Sequence, residues 1–147
     1  MLVRSPTQML ELGAQLGAKL IPGDLLILSG PLGAGKTALT KGIAQALGIT
    51  ELTSPTFVIA KECAGAIPLI HVDAYRLITS EKSRIEFEDL DLEARRDKSI
   101  TVIEWGSELG IRPDEQYLEI EIAFGQGEDD RLLTLLPHGA RWDGFSL

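Results

Sequence analysis

Cysteine is nearly missing from this 147-residue chain, since Cys63 stands alone. No internal disulfide can form, and a thiolate-rich zinc centre is excluded. Long apolar runs are missing too, and none approaches the roughly 18 residues that span a bilayer. The opening stretch MLVRSPTQMLELG lacks the uninterrupted apolar core and small-residue cleavage site of a signal peptide. Positive charge is scarce: 14 Lys and Arg face 22 Asp and Glu, a formal net charge of −8. Such a chain is poorly suited to gripping a nucleic-acid backbone unaided, because that grip comes from many Lys and Arg contacts to phosphate. Any part in nucleic-acid chemistry is therefore expected to run through a partner. The simplest expectation is a cytoplasmic protein with no membrane attachment.

Repeats, low-complexity stretches and linkers are also lacking, so the reading is one domain over residues 1–147. What is present is ordinary for a globular protein: 44% hydrophobic and 24% charged residues. Ser5-Pro6 has the form of a helix cap followed by proline at the first helical position. Met9, Leu12, Leu16 and Leu20 follow at helical spacing, and Pro22-Gly23 ends the segment. Leu25 to Leu28 is a continuous apolar run, the pattern of a strand buried on both faces. Lys36 to Leu47 reads as a helix with Gly48 at its end. Thr56–Ala60 and Ile67–Val72 read as strands joined through Gly65 as a hairpin, and 80–96 as a charged helix. Ser99–Ile103 reads as a buried strand, Tyr117–Phe124 as a half-exposed one, and Arg131–Leu136 as its returning partner. The expected fold is α/β: a single-domain P-loop nucleotidase with a mixed, mainly parallel sheet flanked by helices.

Between the first buried strand and its helix lies Gly30-Pro31-Leu32-Gly33-Ala34-Gly35-Lys36-Thr37, which fits G-x-x-x-x-G-K-[ST] at every fixed position. A phosphate chain needs several converging backbone N–H groups, and glycine permits the left-handed dihedrals without a Cβ in the way. The helix start adds unpaired donors and partial positive charge. Lys36 would place an ammonium near the β and γ phosphates, and the Thr37 hydroxyl suits magnesium, a hard cation that prefers oxygen.

A metal held by Thr37 needs an acidic partner. Ile100-Thr101-Val102-Ile103-Glu104 is an apolar strand ending in a carboxylate, and ligands of α/β sheets sit beyond the strands' carboxyl ends. Glu104 falls at the P-loop edge if the two strands are parallel neighbours; otherwise it is a surface carboxylate. Alternation along His71-Val72-Asp73 points His71 and Asp73 to one side. Asp73 is placed to orient an attacking or metal-bound water, and His71 reads as a hydrogen-bonded structural residue before a general base. Arg76 can pair with a carboxylate or reach a phosphate. Ser54-Pro55-Thr56-Phe57 is either a switch that senses the γ-phosphate through Thr56 or a proline turn entering a strand.

Taken together, Leu32-Gly33-Ala34-Gly35-Lys36-Thr37, Ser54-Pro55-Thr56-Phe57, His71-Val72-Asp73-Ala74-Tyr75-Arg76-Leu77 and Ile103-Glu104-Trp105 resemble the TsaE family in order and spacing. The resemblance runs from the opening helix to Leu136-Pro137-His138-Gly139. It implies a bacterial ATPase needed for threonylcarbamoyladenosine in tRNA, weak alone and working with the TsaB–TsaD pair, in which TsaD performs the carbamoyl transfer. It also implies tRNA contact only through that complex. By the same resemblance, Gly33, Ala34, Gly35, Lys36, Thr37 and Ala38 hold the phosphates of ATP, and Thr37 and Glu104 hold Mg2+. Asp73 lies on the γ-phosphate side and serves hydrolysis with Lys36, Thr56 sits in a switch-like segment, and Trp105 lies near the site or packs beneath it. Three positions depart from the family's usual residues: Pro31 for Asp, Ala38 for a second Thr, and Gly106 for Pro. A small-molecule kinase and a nucleotide-dependent binding module with incidental hydrolysis are the alternatives; no Arg-rich lid segment favours the kinase.

Overall fold

The computed structural model describes residues 1–50, 52, 60–75, 95–106 and 116–147. In chain order the elements are β1 (Leu2–Val3), α1 (Pro6–Gly17), β2 (Leu25–Ser29), α2 (Lys36–Ala46), β3 (Ala60–Cys63) and β4 (Leu69–Asp73). They continue with β5 (Ile100–Glu104), β6 (Tyr117–Phe124), β7 (Arg131–His138) and a 3₁₀ turn at Ala140–Trp142.

Local chemistry accounts for the helix ends. The Ser5 hydroxyl accepts from the Gln8 N–H, and Pro6 follows at the first helical position, where no amide partner is needed. Beyond α2, Gly48 takes a left-handed backbone that stops the helix. The two helices pack directly on each other at glycines. A Cβ added to Gly42 would lie 2.2 Å from the Leu10 carbonyl oxygen, and one added to Gly13 would lie 2.3 Å from that of Leu39. Only backbone fits in that contact, which brings α1 close against the helix that begins at the P-loop.

One seven-stranded sheet runs in the order β1-β7-β6-β2-β5-β4-β3. Its centre, β6-β2-β5-β4, is parallel, with β2 between β5 and β6. Antiparallel hairpins finish both ends, β3 on β4 and β7 on β6, with β1 added outside β7. The fold is thus α/β with a mixed, mainly parallel sheet. Full burial of β2 and β5 explains the continuous apolar run Leu25–Leu28 and the mostly apolar make-up of β5, where Thr101 is the one polar residue before Glu104. Leu16, Leu39 and Ile43 of the helices share a core with Leu26, Leu28, Ile100, Val102 and Ile120 of the sheet. Each such side chain contributes about 1.5–3 kcal/mol when fully buried. A smaller cluster of Leu25, Ile70, Val72 and Ile103 forms apart from it.

Several expectations shift in detail. The hairpin before β4 has its described strand at Ala60–Cys63, where the sequence pattern suggested a turn beginning at Glu62. Residues 56–59 lie outside the described residues, and so does nearly all of the expected helix over 80–96. The strand β7 runs on to His138, past Leu136 and through Pro137. Proline is tolerated there because β1 covers only Arg131 and Leu132, leaving that end of β7 with one neighbouring strand among the described residues. The strand β1 and the 3₁₀ turn were not expected; Trp142 from that turn is fully buried.

Candidate functional site

The site begins where β2 stops. Leu28 of β2 is paired in parallel with Glu104 of β5, so the residues that follow β2 and the carboxylate that ends β5 emerge at one sheet edge. Asp73 ends β4 in register with Glu104. Three neighbouring strands therefore deliver the P-loop, Glu104 and Asp73 to their carboxyl ends, where ligands of such sheets bind.

Gly35 caps α2 with a left-handed backbone, φ 105°, which a side chain would strain. The first residue of α2, Lys36, is buried. Its ammonium donates to the carbonyls of Gly30 and Pro31, the latter at 3.0 Å, and lies 3.5 Å from the centre of the Trp105 ring. Trp105 reaches that position through a left-handed backbone, φ 67°, uncommon for a residue with a side chain. The Trp105 N–H donates to the Leu28 carbonyl at 2.8 Å, which ties the turn to the end of β2. Gly106 then passes against Ile27, where a Cβ would meet Cγ2 at 2.8 Å.

The Glu104 carboxylate is buried at the centre of the polar cluster, 5% exposed. Its Oε2 lies 3.3 Å from the Thr37 hydroxyl. Its Oε1 lies 2.8 Å from His71 Nε2 and 3.5 Å from the Thr40 hydroxyl, whose single proton has the Lys36 carbonyl as its nearer acceptor at 3.0 Å. One oxygen is thus engaged by His71 and the other faces Thr37. Asp73, half-buried, accepts from the Tyr75 N–H at 3.1 Å. An open cleft of about 270 Å³ is lined by Leu32, Trp105 and seven expected site residues: Gly33, Ala34, Gly35, Lys36, Thr37, Asp73 and Glu104. Ala38 lies instead on an adjoining cavity. Thr56 and Arg76 lie outside the described residues.

The hydroxyl of Thr40 was not anticipated. Its signal was available, since Thr37 and Thr40 stand three residues apart and so share a helix face. The contact of His71 with Glu104 was not anticipated either, because it depends on β4 lying beside β5. Among the described residues no group of three or more His, Cys, Asp or Glu side chains is arranged to hold a metal. The donors present are a hydroxyl and a carboxylate, all oxygen, which is the donor set of magnesium, a cation that keeps several waters and binds few protein groups.

Known proteins bear on this arrangement. The family model for "Threonylcarbamoyl adenosine biosynthesis protein TsaE" matches residues 3–132. The tRNA threonylcarbamoyladenosine biosynthesis protein TsaE of Streptomyces coelicolor is 44% identical over 141 residues, covering 91% of this chain and 93% of that protein. The Bacillus subtilis protein of the same name is 41% identical over 125 residues, covering 83% and 75%. The crystal structure of Bacillus subtilis YdiB superposes with a TM-score of 0.79 at 32% identity, covering 98% of this chain and 88% of that one. A family match over most of the chain, relatives at this identity and a shared fold lead to one conclusion: the chain belongs to the TsaE family.

Proposed function

We propose that this protein binds and hydrolyses ATP with Mg2+ as a subunit of the machinery that makes threonylcarbamoyladenosine in tRNA, acting with TsaB and TsaD in the cytoplasm. The observation that carries the reading is the meeting of Thr37 and Glu104 at 3.3 Å beside Lys36, at the edge where a strand turns into a helix. The names of the Streptomyces and Bacillus relatives support the tRNA assignment.

The backbone N–H groups over Gly33 to Ala38 and the Lys36 ammonium balance the phosphate charge, and the start of α2 adds its partial positive charge. Thr37 and Glu104 are the groups that hold Mg2+, which when bound supplies charge neutralisation on the phosphates. Asp73, in the lining of the same cleft, orients a water toward the terminal phosphate. Thr56 acts as a sensor of that phosphate. With a net charge of −8, the chain contacts tRNA through TsaB and TsaD and not by itself.

Calorimetry with Mg-ATP and Mg-GTP tests the binding, with Lys36→Ala as the control that abolishes it. Hydrolysis is slow in the isolated protein and rises on addition of TsaB and TsaD. Equal rates with and without that pair would overturn the partnership; no association with either nucleotide would overturn the whole reading.

A further inference from the structure

Lys36 lines the cleft, yet it is only 5% exposed, and its ammonium is engaged within the protein. It donates to the carbonyls of Gly30 and Pro31, and the centre of the Trp105 ring lies 3.5 Å away. A phosphate chain in the loop needs that same ammonium, because the motif's lysine serves the β and γ phosphates. We propose that Trp105 is a latch on this lysine: its ring holds the ammonium against the loop carbonyls, and a nucleotide is bound only as the ring yields. Trp105 is thus a positioning residue that acts through Lys36. The inference rests on the nucleotide-binding reading above.

The backbone shows why the latch can open. Trp105 has φ 67°, a left-handed conformation that a bulky side chain seldom adopts. Such strain persists only where neighbouring contacts hold it. The Trp105 N–H donates to the Leu28 carbonyl at 2.8 Å. Gly106 then passes so close to Ile27 that a Cβ would fall 2.8 Å from Cγ2. The Trp105 ring also meets that of Tyr75, centroids 5.2 Å apart and planes tilted by 50°. Tyr75 is itself tied to Asp73 through its N–H, but its side chain is half exposed. The contact that steadies the indole from the Tyr75 direction therefore lies at the surface. Relaxation of the strained φ would carry the ring off the ammonium.

Electrostatics gives the sign of the effect. An indole face attracts a cation, most strongly where water is excluded. Phosphate oxygens are charged acceptors and form stronger hydrogen bonds with an ammonium than neutral carbonyls do. Phosphate therefore displaces the ring, but the measured affinity is reduced by the fraction of molecules whose lysine is available. A ring that merely packed beneath the site would have the opposite sign, since its removal would loosen the loop and weaken binding.

Calorimetry with Mg-ATP on the parent, Trp105→Ala and Tyr75→Ala tests the latch. Trp105→Ala is expected to bind roughly 2- to 30-fold more tightly, the range set by a cation over an indole. Tyr75→Ala, which keeps the ring and removes its neighbour, is expected to tighten binding by a smaller factor. Equal or weaker binding by Trp105→Ala would overturn the proposal. A second measurement uses no nucleotide: reductive methylation with formaldehyde, followed by peptide mass spectrometry. Lys36 is expected to react severalfold faster in Trp105→Ala than in the parent, with the exposed Lys41 and Lys98 unchanged as references. Equal Lys36 rates in the two proteins would refute the latch. If the parent binds no nucleotide at all, the reading of the site falls, and the methylation rates alone decide whether Trp105 restrains Lys36.

Discussion

His71 Nε2 and Glu104 Oε1 meet at 2.8 Å with both side chains buried, the histidine 1% exposed. The contact leaves Oε2 as the carboxylate oxygen nearest Thr37. His71 is thus a positioning residue for Glu104. Residues that orient a metal ligand typically contribute about 10–100-fold to metal affinity. His71→Leu is therefore expected to raise the Mg2+ concentration needed for nucleotide binding by a factor in that range, and His71→Gln, which can still donate, by less. A magnesium titration monitored by calorimetry checks this; identical midpoints in parent and His71→Leu would contradict it.

The ring of Trp105 covers the Lys36 ammonium, and only Trp142 shares its fluorescence. Trp142 is fully buried and packs edge-on against Phe145, away from the cleft. A cation over an indole gains about 0.5–2 kcal/mol, and the phosphate oxygens of the proposed nucleotide would compete for the same ammonium. Addition of Mg-ATP is therefore expected to change tryptophan emission in the parent and not in Trp105→Phe. A signal that survives in Trp105→Phe would show that the change arises at Trp142.

At Gly42 two effects oppose each other. Alanine normally favours a helix over glycine by about 1 kcal/mol. Here the added Cβ would stand 2.2 Å from the Leu10 carbonyl oxygen, and overpacking costs about 1–3 kcal/mol or more. Backbone cannot yield as a flexible side chain can, so the clash wins. Gly42→Ala is expected to lower Tm by roughly 2–8 °C. Thermal unfolding followed by circular dichroism decides the sign; an increase would show that the helices can separate without cost.

Far from the P-loop, Arg141 donates to both oxygens of Asp24 at 2.9 and 2.8 Å. The Asp24 side chain is 3% exposed and that of Arg141 29%. Removing one partner of a fully buried pair costs about 3–5 kcal/mol, and partial exposure of the guanidinium reduces this to roughly 2. Arg141→Ala should show that loss in urea unfolding. Arg141→Ala with Asp24→Asn should recover part of it, because no buried charge is then left unpaired.

The local features of this protein were legible in its sequence. The cap at Ser5-Pro6, the buried run of β2, the P-loop and the start of α2 each depend on contiguous residues. The hidden features depend on strand order. The sequence could place Glu104 beside Thr37, 67 positions earlier, only on the condition that β5 lies beside β2, and His71 reaches Glu104 only because β4 lies beside β5. The Asp24–Arg141 pair spans 117 positions and carries no periodic signal. Strand β1 has two residues, too few for any alternation to register. The resemblance placed Trp105 near the site or packed beneath it, but nothing about Glu-Trp marks the left-handed backbone that turns its ring toward the lysine.

The central place of β2 has a consequence for biosynthesis. This strand leaves the ribosome early, yet the two strands that flank it, β5 and β6, come from the last third of the chain. Until they emerge, Leu25–Ser29 has no lateral hydrogen-bonding neighbours and the phosphate loop has no fixed base. Non-local parallel pairing of this kind forms late and slowly. A nascent chain halted before residue 100 would carry the whole glycine-lysine-threonine signature and still lack the carboxylate of Glu104 that Thr37 meets.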